Sequence, residues 1–158
     1  MIRHKLKTWR EIAAIRAELA AENKTVVFTN GCFDILHRGH VQYLQSARSL
    51  GDILILGLNN DDSIKRLKGV NRPINHEIDR AIVLSALIDI DYVVIFTEDT
   101  PYELIKLIKP DILVKGGDWE IDQIIGSDVV IANGGKVLNL QYYQGYSTTG
   151  IIKRMERE

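Results

Sequence analysis

The feature that most narrows the fold is an alternation of short apolar, β-branched runs with longer amphipathic segments. Strands are expected over 25–29, 52–58, 92–96, 112–115 and 136–140, and helices over 8–22, 39–50, 77–88, 101–108, 126–133 and 147–157. Parallel neighbours need a crossover that returns the chain to the same end of the sheet, and strands this apolar must be covered on both sides. The expected class is therefore α/β: an open, parallel five-stranded sheet with helices on both faces. A length of 158 residues suits one domain, drawn over 1–158, with 1–23 as an N-terminal helix packed on it. Trp9, Ile12, Ala13, Ile15, Ala17 and Leu19 give that helix its apolar stripe. Thr100-Pro101 with Glu103 has the form of a cap, a first-turn proline and a capping box, and Pro110 ends the same helix.

One crossover is unusual in composition. Asn30-Gly-Cys-Phe-Asp-Ile-Leu-His37-Arg-Gly-His40 joins the first strand to the helix that follows it. A glycine-bearing turn into a helix start leaves backbone N–H groups free to hold phosphate. His37 and His40, three residues apart, fall on one face of the first helical turn, where imidazoles can donate to phosphate oxygens. Gly39 between them lets a ligand or a neighbouring strand approach closely. Taken singly, each histidine reads as a surface or packed residue; the pair, the glycine and the preceding strand together point to a phosphate site. In open parallel sheets, ligands collect at the carboxyl ends of strands where strand order reverses. Asn30–His40, Lys115–Trp119 and Gly145–Thr149 each follow a strand and would converge on that edge.

Charge adds an exclusion. The 20 basic and 21 acidic residues nearly cancel, which gives no electrostatic case for a nucleic-acid or membrane partner. An anionic substrate must be held by a local cluster. The single cysteine, Cys32, excludes an internal disulfide and suits a reducing cytosol. No apolar run approaches membrane-spanning length, and the basic N-terminus lacks a following signal core, so a cytoplasmic protein is expected.

His-x-Gly-His after a first strand and a Gly-x-Phe-Asp turn resembles the HxGH nucleotidyltransferases of the cytidylyltransferase-like superfamily. Lys115-Gly-Gly-Asp-Trp119 and Gly145-Tyr-Ser-Thr-Thr149 match in order and spacing, and the resemblance runs from Lys24 to Arg154. Asn30–Asp34, Glu98-Asp-Thr-Pro101 and Val114–Trp119 are most similar to the heptose 1-phosphate adenylyltransferase branch. Many members of that branch carry this domain behind a sugar kinase, whereas this chain is expected to carry the transferase alone. The resemblance implies a Rossmann-like fold and transfer of AMP from ATP to D-glycero-β-D-manno-heptose 1-phosphate, giving ADP-heptose and pyrophosphate. Glycerol-phosphate cytidylyltransferases have an arginine just before the Gly-x-Ser-Thr-Thr stretch, and Gln141-Tyr-Tyr-Gln144 has no basic residue. The rival readings are a cytidylyltransferase acting on a polyol phosphate such as glycerol 3-phosphate, and a non-catalytic nucleotide-binding module.

By this resemblance His37, His40 and Lys68 are the candidate catalytic residues, with Lys68 reaching either the triphosphate or the acceptor phosphate. Asn30, Gly31, Phe33, Gly39, Lys115, Gly116, Asp118, Ser147, Thr148 and Thr149 are expected to bind the nucleotide. Asp34, Arg72 and Arg80 are expected on the acceptor side. Each has a plainer reading: a solvated helix face for the basic residues, an Asx turn for Asp34, helix capping for Ser147–Thr149. Trp119 alone reads as core packing, Lys65 and Arg66 as solvated, and Cys32 as an inert thiol. No metal ligands are assigned; Mg²⁺ is expected to arrive on the ATP triphosphate. A homodimer or higher homo-oligomer is expected, with Ile82, Leu84 and Ile88 serving either that contact or the core.

Overall fold

A computed structural model describes residues 2–141, 143 and 145–156. Tyr142, Gln144 and Arg157, on which part of the 141–144 reading and the expected end of the last helix rest, lie outside the described residues. Its centre is a six-stranded sheet: β1 (Leu6–Lys7), β2 (Val26–Gly31), β3 (Ile53–Asn59), β4 (Tyr92–Phe96), β5 (Ile112–Gly116) and β6 (Lys136–Leu140). All pairings are parallel, in the order β1-β4-β3-β2-β5-β6. The helices are α1 (Trp9–Ala21), α2 (Arg38–Arg48), α3 (Asp61–Lys68), α4 (Glu77–Ser85), α5 (Tyr102–Ile108), α6 (Ser127–Ala132) and α7 (Thr148–Met155).

The strands alternate their side chains between two cores. Val26, Phe28 and Ile55 pack with Ile12 of α1, Leu104 and Ile108 of α5 and Val130 of α6. Val27, Leu54 and Leu56 pack on the opposite face with Leu44 of α2 and Leu84 of α4. This period of two inside nearly continuous apolar runs is what coverage on both faces demands. Leu84 thus belongs to the core, whereas Ile88 is 89% exposed beyond the end of α4.

Among the described residues, one strand and one α-helix are additional to the expected five strands and six helices. Strand β1 is too short to show a periodicity, yet it covers the outer edge of β4 through Leu6↔Val93 and Lys7↔Val94. Helix α3 has few apolar residues and is built instead from its ends. Asn60 accepts from Ser63 N at 2.8 Å, Asp61 and Asp62 occupy the first turn, and Lys65, Arg66 and Lys68 occupy the last. That charge order complements the helix dipole. The cap expected at Thr100 is corrected: Pro101 takes the cap position of α5, with no side-chain cap bond. At α1, Thr8 and Glu11 form a reciprocal capping box.

The N-terminal edge of the sheet is closed by aspartates. Asp52 accepts from Thr25 N, Asp91 from Leu54 N and Asp111 from Val26 N, each at 2.8 Å. Each stands one residue before its own strand and satisfies a donor at the start of the neighbouring one, a site where a parallel ladder runs out of partners. Asp111 also pairs with Arg16 of α1 at 3.1 Å, tying that helix to the sheet. Replacing Asp111 with Ala orphans the N–H of buried Val26 and should cost about 1–3 kcal/mol. Urea unfolding should show the midpoint falling with the m-value unchanged.

Candidate active site

Strand order reverses beside β2. The chain leaves β2 through α2 toward β3 on one face, and leaves β5 through α6 toward β6 on the other. The carboxyl ends of β2 and β5 are therefore neighbours with diverging connections, which opens a crevice between them. A cleft of about 540 Å³ sits there, within the size range of small-molecule sites. It is lined by Asn30, Gly31, Phe33, Asp34, His37, Gly39, His40, Lys68, Arg72, Lys115, Gly116, Ser147, Thr148 and Thr149. Segments more than a hundred residues apart in sequence are thus brought to one place.

The histidines form part of a column of rings. His37 is the N-cap of α2, in extended conformation, and its Nδ1 accepts from His40 N at 3.3 Å. A ring nitrogen accepts only when it carries no proton, so neutral His37 holds its proton on Nε2 and can donate from there. The His40 ring stacks on His37 with centroids 3.8 Å apart and planes 17° from parallel. Phe33 packs behind His40 at 5.0 Å, and Tyr146 covers the other side of His37 at 6.4 Å. Arg38 lies over the Tyr146 ring, 5.8 Å from its centroid. Gly39 is what leaves room: a Cβ there would lie 3.0 Å from the Cβ of Tyr146 and 3.1 Å from the His37 ring. The close approach expected at Gly39 is thus made by the site's own rings.

Burial pushes the His37 imidazole down, and burial followed by repulsion from His37 and Lys68 pushes His40 down to about 4. Both rings are neutral at pH 7. The Nδ1 of His40 is buried without a hydrogen-bond partner.

Cations surround this column. Lys68 ends α3, and Lys115 points from β5, where burial lowers its ammonium against a smaller opposing effect of Cys32. Among the described residues neither lysine makes a salt bridge. Arg72 bonds Asp34 through Nε at 2.8 Å, leaving Nη2 buried and unpaired. Asp34 is 3% exposed and also accepts from the N–H groups of Ile74 and Asn75. Burial alone would raise its carboxyl, but these two N–H groups and Arg72 together hold it below the usual carboxylate range. Its oxygens are therefore occupied within the protein.

Two expected residues do not reach the cleft. Arg80 is 2% exposed and donates to the carbonyls of Asn75, Cys32 and Asn59 and to Asp61 Oδ1. It is a strut joining the turn after β2 to the loop after β3. Asp118 is exposed and outside the lining. The solvated reading of Lys65 and Arg66 is refined: they pair with Asp62 and Asp99, and Arg66 also donates to Thr97 O. Ser147 caps α7 by accepting from Gly150 N at 3.0 Å, Thr148 donates to Ile35 O at 3.2 Å, and Thr149 stands exposed at the cleft.

Several lining residues carried too little signal to be singled out. Trp119 is half exposed and lines the cleft, its Nε1 donating to Gly116 O at 3.0 Å, so it is not core packing. Tyr43, Asn59, Thr100, Gln123, Ile125 and Tyr146 also line it. Tyr43 meets Thr29 at 2.7 Å on the core side, and its period on α2 is that of any packed residue. Thr100, Trp119 and Tyr146 stand inside the motif stretches 98–101, 114–119 and 145–149, and that position was the one local cue to them.

Folding and protonation of His40 oppose each other. Between about 4 and the ordinary 6.5, the unfolded chain binds a proton that folded His40 refuses. Stability should therefore fall as pH drops through that window, and His40→Gln should remove that part of the slope. Urea midpoints measured across pH, with NMR titration of the imidazoles, test this; a His40 resonance titrating near 6.5 would contradict it.

The sequence profile of the cytidylyltransferase-like family matches residues 28–154. The bifunctional protein HldE of a Nitratiruptor species is 55% identical over 95% of this chain, and that of Campylobacter concisus is 56% identical over 97%. The chain spans about a third of the length of these relatives, 32% and 31%. Among solved structures, the lipopolysaccharide core biosynthesis protein of Thermoplasma volcanium superposes with a TM-score of 0.62 at 30% identity, over 78% of this chain and 99% of that one. The pantoate-beta-alanine ligase of Francisella tularensis shares the fold, with a TM-score of 0.62 at 14% identity over 96% of this chain and 76% of its own. By the profile match and by these relatives, the chain belongs to the cytidylyltransferase-like family.

Proposed function

We propose that this protein is a nucleotidyltransferase that moves AMP from ATP to D-glycero-β-D-manno-heptose 1-phosphate, forming ADP-heptose and pyrophosphate. The observation that carries the reading is the stacked, neutral His37–His40 pair at the start of α2, with Lys68, Lys115 and Arg72 around it. A near-neutral protein has concentrated two lysines without a salt bridge among the described residues, an arginine with one buried N–H group left over, and further N–H donors in one cleft, which is a site for a highly charged anion. The match of Asn30–Asp34 and Val114–Trp119 to the heptose 1-phosphate adenylyltransferases supports the choice of substrates. A structural neighbour named for lipopolysaccharide core biosynthesis agrees with it.

The chemistry asks little of the protein beyond position and charge. A phosphate oxygen of the acceptor attacks the α-phosphorus of ATP, and the bond to the β-phosphate bridging oxygen breaks, releasing pyrophosphate. The acceptor is already ionised, so no general base is needed. His37 Nε2–H and His40 donate to oxygens whose charge rises in the transition state, and the α2 N-terminus adds its free N–H groups. Asn30, Gly31, Phe33, Gly39, Lys115, Gly116 and Ser147–Thr149 hold the nucleotide. The reading takes the nucleotide as MgATP, with Mg²⁺ arriving on the triphosphate. The same reading takes residues 1–158 as one domain, cytoplasmic and assembled as a homodimer or higher homo-oligomer. No described helix is long and apolar enough to cross a membrane.

His37→Asn keeps a good N-cap and removes the imidazole, and His40→Gln removes the second ring. Each should lower kcat by about 10²–10³ with a small change in KM for ATP, the mark of a donor used in the transition state. Near-normal kcat in both would remove the histidines from the chemistry.

Pyrophosphate release should favour ATP over CTP with heptose 1-phosphate by roughly a hundredfold in kcat/KM, the cost of leaving buried base-reading groups unpaired. Preference for CTP, or activity only with glycerol 3-phosphate, would favour the cytidylyl reaction. Binding of nucleotide without turnover of any pair would mark a non-catalytic module.

A further inference from the structure

We propose that Tyr43 is a positioning residue for the transfer, whose hydroxyl bridges β2 and β5 at the point where they part and so sets the start of α2 against both strand ends. This deepens the transferase reading above and rests on it. Among the described residues β2 pairs with β5 at Val27↔Ile112 and Phe28↔Leu113 and no further, although β2 stays paired with β3 to Gly31 and β5 with β6 to Gly116. Successive residues of a parallel strand turn their N–H and C=O groups to opposite neighbours. Asp111 O accepts from Lys136 N at 2.8 Å, so the carbonyls of Asp111 and Leu113 face β6 and that of Val114 faces β2. The rung that would have served it, Thr29↔Val114, is missing. Val114 is wholly buried, and a buried carbonyl left without a donor is costly.

The donor comes from the helix above. Tyr43 leaves α2 on the face that packs against the sheet, and its hydroxyl lies 2.7 Å from Thr29 Oγ1 and donates to Val114 O at 3.4 Å. A phenol has one proton, so both contacts are met when Thr29 donates to Tyr43 and Tyr43 donates to Val114. One hydroxyl thus takes the place of the missing rung, at the apex of the crevice. Each of its three attachments adjoins the site. Thr29 precedes Asn30, Val114 precedes Lys115, and Tyr43 stands about one helical turn after His40. Residues three apart share a helix face, so a shift of the Tyr43 ring against the strands is passed to the His40 ring and to the N–H groups at the α2 start. Apolar packing would be served as well by phenylalanine; the hydroxyl is the part that packing does not explain.

The test is steady-state kinetics on the whole protein with Tyr43→Phe, Thr29→Val and the Thr29→Val/Tyr43→Phe double variant. Urea midpoints are measured alongside, with Asp111→Ala as a variant weakened at the opposite edge of the sheet. Tyr43→Phe should lower kcat about ten- to a hundredfold, the cost of donors displaced by about an ångström or less, while KM for ATP changes by less than about threefold. Thr29→Val should lower kcat by only about two- to fivefold, because Tyr43 still reaches Val114 O. The double variant should match Tyr43→Phe alone, as expected of two groups that act through one contact. Asp111→Ala should lose stability and keep kcat within about twofold. A normal kcat in Tyr43→Phe with only a lower urea midpoint would make the hydroxyl structural and overturn the proposal, as would an equal fall of kcat in Asp111→Ala. If wild-type protein turned over no sugar phosphate, the transferase reading would fail, and NMR titration of the His40 imidazole would decide the positioning without turnover. A His40 titration moved by about half a pH unit or more in Tyr43→Phe, and unmoved in Asp111→Ala, would sustain it. A His40 titration unmoved in Tyr43→Phe, or moved equally in both, would overturn it.

Discussion

Strand β2 is bordered by β3 on one side and β5 on the other, and the helices that follow β2 and β5 leave toward opposite faces. A parallel sheet gives every strand the same polarity, so all of its connections to helices begin at one edge. Where the direction of winding reverses, two such connections diverge and leave a crevice that no side chain of the core fills. Everything assigned to function here depends on that reversal. It places the α2 start, the end of α3, the loop after β5 and the α7 start around one cavity.

The same polarity gives each edge its own need for charge, in a molecule whose net charge is only −1. Carboxylates of Asp52, Asp91 and Asp111 gather at the N-terminal edge, where strand N–H groups need acceptors. Lys68, Arg72 and Lys115 gather at the opposite edge with the two imidazoles. An anion is therefore favoured by a local field and not by that of the whole protein, and the effect is strongest where burial lowers the dielectric. Neutral rings are the consequence of that same burial, and an arriving phosphate would be met by N–H donors already oriented by a cap and a stack.

Precision in this cleft comes from residues whose charged groups are spent on partners within the protein. Arg80 joins Cys32, Asn59, Asp61 and Asn75 from within the protein, and Asp34 locks the Arg72 loop against the turn after β2. Buried ionic networks of this kind add little net stability, because desolvation offsets attraction, but they allow few alternative arrangements. Their worth to the molecule is geometric.

Local order was legible in the sequence. Apolar runs, turn residues and the His-x-Gly-His helix start report on interactions within a few residues of one another, and the α/β class with helices on both faces follows from them. The convergence of Asn30–His40, Lys115–Trp119 and Gly145–Thr149 was legible too, since every strand end in a parallel sheet points the same way. Strand β1 and helix α3 were not: one is a two-residue edge pairing and the other is set by charges and caps more than by an apolar period. The partners of Asp34 and Arg80, the place of Trp119 in the cleft wall and the Tyr146–His37–His40–Phe33 column were decided only by tertiary structure. A charged side chain in a sequence has the same identity whether it faces solvent, a substrate or a buried counter-ion. Which of these it meets depends on strands and loops tens of residues away, and only the packed chain sets them side by side.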